Sequence, residues 1–165
     1  MMRDDSWNEQ ADLRRAFSRF ATGVTVVTTR DAALGPVGFT ANSFASVSLD
    51  PPLVLWSIGS AATRHDVFAG AQRFAIHVLA EAQKDIASHF VQEGGGFDAF
   101  DWHADADGLP HLNGCLARFA CEMHQTITAG DHTIMIGRVT TIAQREGAGL
   151  AYMNSAFGTF TGTSA

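Results

Sequence analysis

The feature that most constrains the fold is a long hairpin near the C-terminus. Leu116 to Ile127 and Thr133 to Ala143 are both rich in residues that favour strands. The connection between them, TAGD at 128–131, has the composition of a tight turn. The pattern therefore predicts two long antiparallel strands that follow each other directly.

Shorter strand and helix signals occur along the rest of the chain. A capping-box pattern at Ser6 to Glu9, with apolar residues at helical spacing after it, predicts a first helix from about Asn8 to Ala21. The glycine-rich and acidic region from Gln92 to Pro110 is predicted to be a long loop. The other predicted elements are strands at 24–29, 37–40, 53–58, 74–79, 150–153 and 156–160, and helices at 63–69 and 81–90.

These elements predict a mainly β fold with flanking helices. Six or seven mostly antiparallel strands have edges that need protection, and a closed or nearly closed barrel removes those edges economically. Two or three helices give little cover to the two sides of such a barrel. We therefore expect the chain to form a dimer.

Length and composition are those of one globular domain, predicted to span residues 1–165. The net charge is −6 and the basic residues are scattered, which excludes the basic surface of a nucleic-acid-binding protein. No apolar run approaches the ~20 residues of a membrane span. The charged N-terminus lacks the apolar region of a secretory signal, so we expect a cytoplasmic protein.

The segment from Gly38 to Ile58 has a composition that neither a core nor an ordinary turn requires. Short hydroxyl and amide side chains lie between two apolar runs, and their small size would let a ligand approach the main chain. The segment is predicted to cradle a polar, planar ligand. A hydroxyl-rich bulge with satisfied side chains is the alternative. The polar residues are Thr40, Asn42, Ser43, Ser46 and Ser48.

A turn of small residues from Gly59 to Arg64 follows this segment. Hydroxyl and N–H groups at a helix N-terminus can bind phosphate, whereas simple helix capping by Thr63 is the alternative. The chain contains no nucleoside-triphosphate loop and no strand–GxGxxG–helix unit. A Rossmann domain for a nicotinamide nucleotide is therefore not predicted.

Gly130, Asp131 and His132 lie in the turn of the long hairpin. Asp131 can fix the turn or orient the imidazole of His132. The histidine can donate to a carboxamide or a phosphate, or support proton transfer. A turn-capping aspartate followed by a structural histidine is the alternative. The other histidines form no HExxH pattern, and no metal site is predicted.

Six stretches together make the chain resemble the flavin reductase-like family, whose fold is the FMN-binding split barrel. They occur in the family's order and cover nearly the whole chain. The stretches are FSRFATGVTVVTT, GFTANSFASVSLDPPLVLWSI, RFAIHVLAEAQKDIASHF, LPHLNGCLARFACEMH, GDHTIMIGRVT and LAYMNSAFGTF. The resemblance implies an antiparallel split β-barrel, and it implies a homodimer because most members are homodimeric.

The resemblance also implies roles for particular residues. Those that would hold the flavin ring and ribityl chain are Thr40, Ala41, Asn42, Ser43, Ser46, Val47 and Ser48, with Ser57 and Ile58 alongside. Those that would lie near the phosphate or adenylate are Ser60, Ala62, Thr63, Lys84 and Phe90. His132 would contact the nicotinamide nucleotide. His77 and Phe157 depart from the family pattern, in which Asn and Tyr are common at these positions.

The implied activity is NAD(P)H-dependent reduction of FMN or FAD by hydride transfer. Reduced flavin would then diffuse to a partner monooxygenase. Two alternatives stay open: a split-barrel protein with tightly bound FMN that acts on another substrate, and a non-catalytic flavin- or haem-binding module. The sequence has no Rossmann domain, and so it offers neither the acidic residue nor the 2′-phosphate arginine that usually indicate nucleotide preference. The sequence therefore does not distinguish FMN from FAD or NADH from NADPH.

Overall fold

A computed structural model describes residues 10–162 and shows twelve strands and three short helices in that part of the chain. The helices are α1 Gln10–Phe17, α2 His65–Ala69 and α3 Lys84–Gln92, with 3₁₀ turns at Glu81–Gln83 and Phe97–Ala99. The strands are β1 Thr22–Gly23, β2 Thr25–Asp31, β3 Gly35–Ala41, β4 Ala45–Leu49, β5 Pro52–Gly59, β6 Arg73–Val78, β7 Trp102–Ala104, β8 Pro110–Leu112, β9 Ala117–Ala129, β10 His132–Gln144, β11 Gly149–Met153 and β12 Ala156–Phe160. None of the helices within 10–162 is long and apolar enough to cross a membrane.

Seven strands form the main sheet in the spatial order β3-β2-β6-β9-β10-β5-β4, and each neighbouring pair is antiparallel. The long hairpin predicted near the C-terminus is confirmed as β9 and β10, each of 13 residues. A smaller sheet contains β1, β11 and β12, and a two-stranded ribbon contains β7 and β8. The predicted mainly β, antiparallel fold is confirmed.

The two edge strands of the main sheet are consecutive in the chain. β3 ends at Ala41 and β4 begins at Ala45, so the connection spans at most about 14 Å when fully extended. In a flat sheet, six strand spacings of ~4.8 Å would separate these edges by about 29 Å. The sheet must therefore curl, and β3 contacts β5 across the seam. Within the described residues β3 and β4 do not pair with each other, which leaves the barrel split as predicted.

Alternation along β5 builds much of the core. Val54, Trp56 and Ile58 point inward and are almost completely buried. The Trp56 ring lies edge-on to Phe68 of α2 and Phe74 of β6, with centroid separations of 5.2 and 6.0 Å. Burying each of these large side chains contributes roughly 1.5–3 kcal/mol relative to exposure. This core fixes β5, which carries one side of the candidate site.

Helix α3 packs very closely on β3. Gly38 lies beneath the ring of Phe90, and a Cβ atom at Gly38 would stand 2.5 Å from that ring. The Gly38 N–H also donates to the carbonyl of Gly94, at 2.8 Å. Phe90 is fully buried and packs against Phe97 and Phe100, with ring centroids 4.9 and 5.7 Å away. The residues after α3 therefore hold the helix against the barrel.

Three of the predicted elements are wrong in detail. The first helix ends at Phe17 rather than Ala21, and its predicted capping box at 6–9 lies outside the described residues. The predicted loop at 92–110 contains the ribbon strand β7 and a 3₁₀ turn, because β7 finds its partner in β8. The segment 45–49, expected only as part of a ligand cradle, is a regular edge strand paired with β5.

Candidate functional site

Residues 42–44 form the link between the two edges of the barrel, and two hydroxyl groups secure it. The Ser43 hydroxyl accepts the N–H of Ser57 at 2.9 Å and donates to the Ser57 carbonyl at 3.1 Å. The Thr40 hydroxyl donates to the Ala87 carbonyl of α3 at 2.7 Å. For Thr40 and Ser43 the alternative interpretation therefore holds, in which the hydroxyl groups are hydrogen-bonded within the fold. Asn42 is exposed and keeps its side chain for other partners.

The edge strand β4 carries three more of the predicted residues. The register shifts between Ser46 and Ser48, so Val47 is the extra residue of a β-bulge. The side chains of Ser46 and Val47 are exposed, and Ser48 is half-buried. Because β4 pairs on one side only within the described chain, its other side presents main-chain donors and acceptors. A planar ligand with polar groups at its rim can pair with such an edge.

Two cavities meet at Asn42. The first has a volume of about 420 Å³ and lies between β3, α3 and the β11–β12 hairpin, with Thr40 and Phe157 in its walls. The second has a volume of about 540 Å³ and lies between residues 20–25 and the link. Both volumes fall in the ~300–1,000 Å³ range of small-molecule sites. Asn42 is placed to contact a ligand in either cavity.

The second cavity has features that suit an aromatic ring system. The Thr22 hydroxyl oxygen is buried there and has no hydrogen-bond partner among the described residues, although buried polar groups normally have one. Phe20 and Phe44 also line this cavity, and Phe20 is 77% exposed. A flat heterocycle would cover Phe20 and supply a partner for Thr22. The residues present therefore fit an isoalloxazine ring.

Sequence reasoning did not identify Phe20, Thr22 or Phe44 as site residues. They lie in stretches that carry the family resemblance, and the Phe-Ala-Thr-Gly run at 20–23, directly before a predicted strand, was the available signal for the first two. It also did not place Tyr152 in the site, although Tyr152 lines the first cavity. Phe157 was noted only as a departure, and its ring lies 5.3 Å from the Tyr152 ring.

The hairpin turn of β9 and β10 lies beside the turn that follows β5. His132 pairs with Gly59, and the Ser60 N–H donates to the Asp131 carbonyl at 2.9 Å. His132 Nδ1 and the Asp131 carboxylate are 2.8 Å apart, and this hydrogen bond lowers the pKa of Asp131. The His132 side chain is 49% exposed. Asp131 thus orients an imidazole whose other nitrogen is directed away from that carboxylate.

Ser60, Ala62 and Thr63 lie in the turn before α2, but the predicted capping by Thr63 is wrong. The N-cap residue is Arg64, and no side chain caps this five-residue helix. The Ala62 N–H is already used by the Gly59 carbonyl, at 3.0 Å. The side chains of Ser60 and Thr63 are exposed. Any contact of this turn with an anion therefore relies on these hydroxyl groups rather than on a helix N-terminus.

Ser57 connects the link to His132. Its main chain is bonded to Ser43, and it lies two residues, about 6.8 Å along the strand, from Gly59. Gly59 in turn pairs with His132. The link, the end of β5 and the start of β10 thus form one continuous surface that carries both predicted halves of the site.

The other predicted residues lie apart from this surface. Ile58 is 1% exposed and packs in the core, and Phe90 is fully buried between α3 and β3. Their side chains cannot contact a ligand without repacking. Ala41 is also buried. Lys84 is exposed at the start of α3, with its ammonium group 5.7 Å from the centroid of Phe157 at the first cavity.

His77, which departs from the family pattern, has a structural role. It is completely buried on β6, and burial lowers its pKa to about 3. The Leu112 N–H donates to Nε2 at 3.1 Å, so Nδ1 carries the proton that is donated to the Val26 carbonyl at 3.0 Å. His77 therefore attaches β8 to the main sheet and does not line either cavity.

Comparison with known proteins agrees with these features. A family model described as the flavin reductase like domain matches residues 17–161. FMN reductase (NADH) SmoA of Agrobacterium fabrum is 48% identical over 148 residues, which cover 90% of this chain and 84% of that protein. The reductase component of the flavin-dependent trigonelline monooxygenase of Acinetobacter baylyi is 44% identical over 93% of this chain. The chain spans only 50% of that second relative.

Solved structures extend the similarity to the whole fold. The NADH:FAD oxidoreductase SgcE6 of Streptomyces globisporus superposes with a TM-score of 0.88 at 37% sequence identity. The superposition covers 98% of this chain and 99% of that one. The split-barrel architecture is therefore shared along almost its full length.

The buried histidines predict a pH-dependent stability. An unfolded histidine has a pKa of 6.5, whereas burial lowers the pKa of His77 to about 3 and that of His111 to about 4. Below pH 6.5 the unfolded chain binds more protons than the folded chain. The free energy of unfolding therefore decreases as the pH is lowered, by up to about 1.4 kcal/mol per pH unit for His77. Urea unfolding between pH 7 and 4.5 measures this slope. His77→Asn should flatten it and the exposed His103→Asn should not; equal slopes in all three proteins would contradict the assignment.

Proposed function

Because the chain belongs to the flavin reductase-like family, we propose that it reduces FMN or FAD with NADH or NADPH and passes the reduced flavin to a partner monooxygenase. The observation that carries the proposal is the continuous surface from Asn42 through Ser57 to His132. A ring-sized cavity lies at one end of this surface and an oriented, half-exposed imidazole lies at the other. Such a surface suits two ligands that must lie against each other.

The bound flavin supplies the acceptor for a hydride from the nicotinamide. The residues of this chain supply orientation. Phe20 and Phe44 would contact the ring, and the Thr22 hydroxyl and the open edge of β4 would offer hydrogen bonds to its rim. His132, held by Asp131, is positioned to donate to the carboxamide or a phosphate of the nucleotide. Holding both ligands in one geometry is the main contribution that a protein makes to such a transfer.

The character of the second cavity supports a flavin that binds and leaves. The described residues that line it carry no charge, so the affinity that they supply must come from apolar contact and neutral hydrogen bonds, which are individually weak. A relative is the reductase component of a flavin-dependent monooxygenase, which supports a partner that receives reduced flavin. Use of a nicotinamide nucleotide supports the prediction of a cytoplasmic location.

We further propose that the chain forms a homodimer through the outer face of β5, β9 and β10. Strand register brings Leu55, Ile136, Ile134 and Ile127 together on this face, where Ile127 is 39% exposed and the others are half-buried. A contiguous apolar surface of this kind is typical of an interface. The predominance of homodimers in the family supports the same arrangement.

The dimer can be tested by light scattering during size-exclusion chromatography. We expect a mass of about twice the 17.6 kDa of the chain. Ile127→Glu should shift the protein to a monomer, because a charge would be buried at the interface. Leu34→Glu, at an exposed turn residue, is the control and should stay dimeric. A monomeric wild-type protein would contradict the proposal.

The activity is tested by following NADH and NADPH oxidation with FMN, with FAD and without added flavin. Added flavin should accelerate the oxidation strongly, and the better nucleotide and flavin should be evident from the four combinations. A yellow protein that keeps its flavin through dialysis would support the tightly bound FMN alternative instead. Absence of stimulation by either flavin would contradict the proposed activity.

His132→Asn tests the nucleotide side of the site. The variant should raise the apparent KM for the nicotinamide nucleotide by roughly tenfold, equivalent to the loss of about 1.4 kcal/mol from one hydrogen bond. The apparent KM for flavin should change much less. His103→Asn, at an exposed histidine on β7, is the matched control. An unchanged nucleotide KM in His132→Asn would remove His132 from this role.

A further inference from the structure

Two consecutive residues, Arg64 and His65, reach in opposite directions from the turn that follows β5. The Arg64 guanidinium donates to four main-chain carbonyls, and Nη1, which has two protons, shares one of them between two of its three acceptors. Their distances are 2.8–3.0 Å, and the acceptors are Gly38, Phe90, Val91 and Glu93. The Arg64 guanidinium therefore connects the turn to the end of α3 and to β3.

This contact is well suited to fixing α3. The last carbonyls of a helix have no partner within the helix and carry a partial negative charge, which a cation stabilises. The Arg64 guanidinium also lies over the Phe39 ring of β3, 5.1 Å from its centroid. α3 contributes Ser88 and Gln92 to the first cavity, opposite Thr40. Arg64 thereby sets, relative to β3, the position of one wall of the first cavity, where Lys84 would lie near the phosphate or adenylate end of the flavin.

His65 makes the corresponding contact toward β10. Its Nδ1 lies 2.8 Å from the Asp66 carboxylate, and its Nε2 lies 2.8 Å from the Thr133 hydroxyl. The carboxylate only accepts, so Nδ1 carries a proton, and Nε2 forms the second hydrogen bond with the Thr133 hydroxyl. Thr133 is 8% exposed and directly follows His132. His65 thereby fixes the start of β10, which presents His132.

We propose that Arg64 and His65 are positioning residues that hold the flavin-side wall and the nucleotide-side histidine at a set separation. The inference rests on the proposed function and extends it to residues outside the ligand-contacting surface. Adjacent Cα atoms are about 3.8 Å apart, so the two contacts share almost one anchor point. Each residue governs one side: Arg64 acts on the flavin through α3, and His65 acts on the nucleotide through β10.

Hydrogen exchange of the ligand-free protein, followed by mass spectrometry, tests the two contacts directly. Arg64→Met should accelerate exchange several-fold in peptides that cover residues 88–94 and leave residues 131–135 unchanged. His65→Asn should have the reverse effect, because the shorter side chain cannot reach Thr133. Arg73→Met is the matched control, since Arg73 pairs with Asp105 and Asp107 on the far ribbon loop, and neither region should change.

Steady-state kinetics test the consequence for the site. Arg64→Met should raise the flavin KM by about tenfold with little change in the nucleotide KM, and His65→Asn should do the opposite. His65→Gln, whose amide can occupy the place of Nε2, should restore the nucleotide KM. Equal effects of both variants on both constants, or uniform exchange throughout the protein, would show a merely structural role. If the wild type does not reduce flavin, the proposed function fails, while the exchange pattern still decides whether the two contacts act separately.

Discussion

The short link between the two edges of the main sheet is the constraint on which the architecture depends. Three residues between Ala41 and Ala45 cannot span a flat seven-stranded sheet, so the sheet has to curl, and β3 contacts β5 across a seam. Ladder hydrogen bonds do not close this seam in the described chain. Ser43 closes it instead, through two hydrogen bonds to Ser57. Both cavities open beside Asn42 for the same reason.

This constraint explains why small polar residues are concentrated in one segment. A seam without a ladder needs side-chain hydroxyls to satisfy main-chain groups, and Ser43 is used in that way, while the Thr40 hydroxyl attaches α3 to β3. Among residues 10–162, the same seam leaves the edge of β4, the Asn42 side chain and the buried Thr22 hydroxyl without full partners. Stability and ligand binding therefore depend on different members of one polar set.

Local patterns predicted much of the fold, while long-range contacts decided the details of the site. The β9–β10 hairpin and the β5 strand were predictable because strand-forming residues and turn residues act over a few positions. The burial of Phe90 was not predictable from the sequence, because it depends on the close approach of Gly38 from a distant strand. Likewise, Thr63 had the better local signal for a cap, but Arg64 is the N-cap because its side chain finds carbonyls on α3.

The central claim is that the cavity beside the link holds the flavin ring while His132 meets the nucleotide. A crystal structure of the protein with FMN and oxidised nicotinamide nucleotide tests it most directly. We expect the isoalloxazine ring between Phe20 and the link, with the Thr22 hydroxyl within about 3.2 Å of a polar ring atom, and the nicotinamide beside His132. A ring bound elsewhere, with the Thr22 hydroxyl still unpaired, would contradict the account.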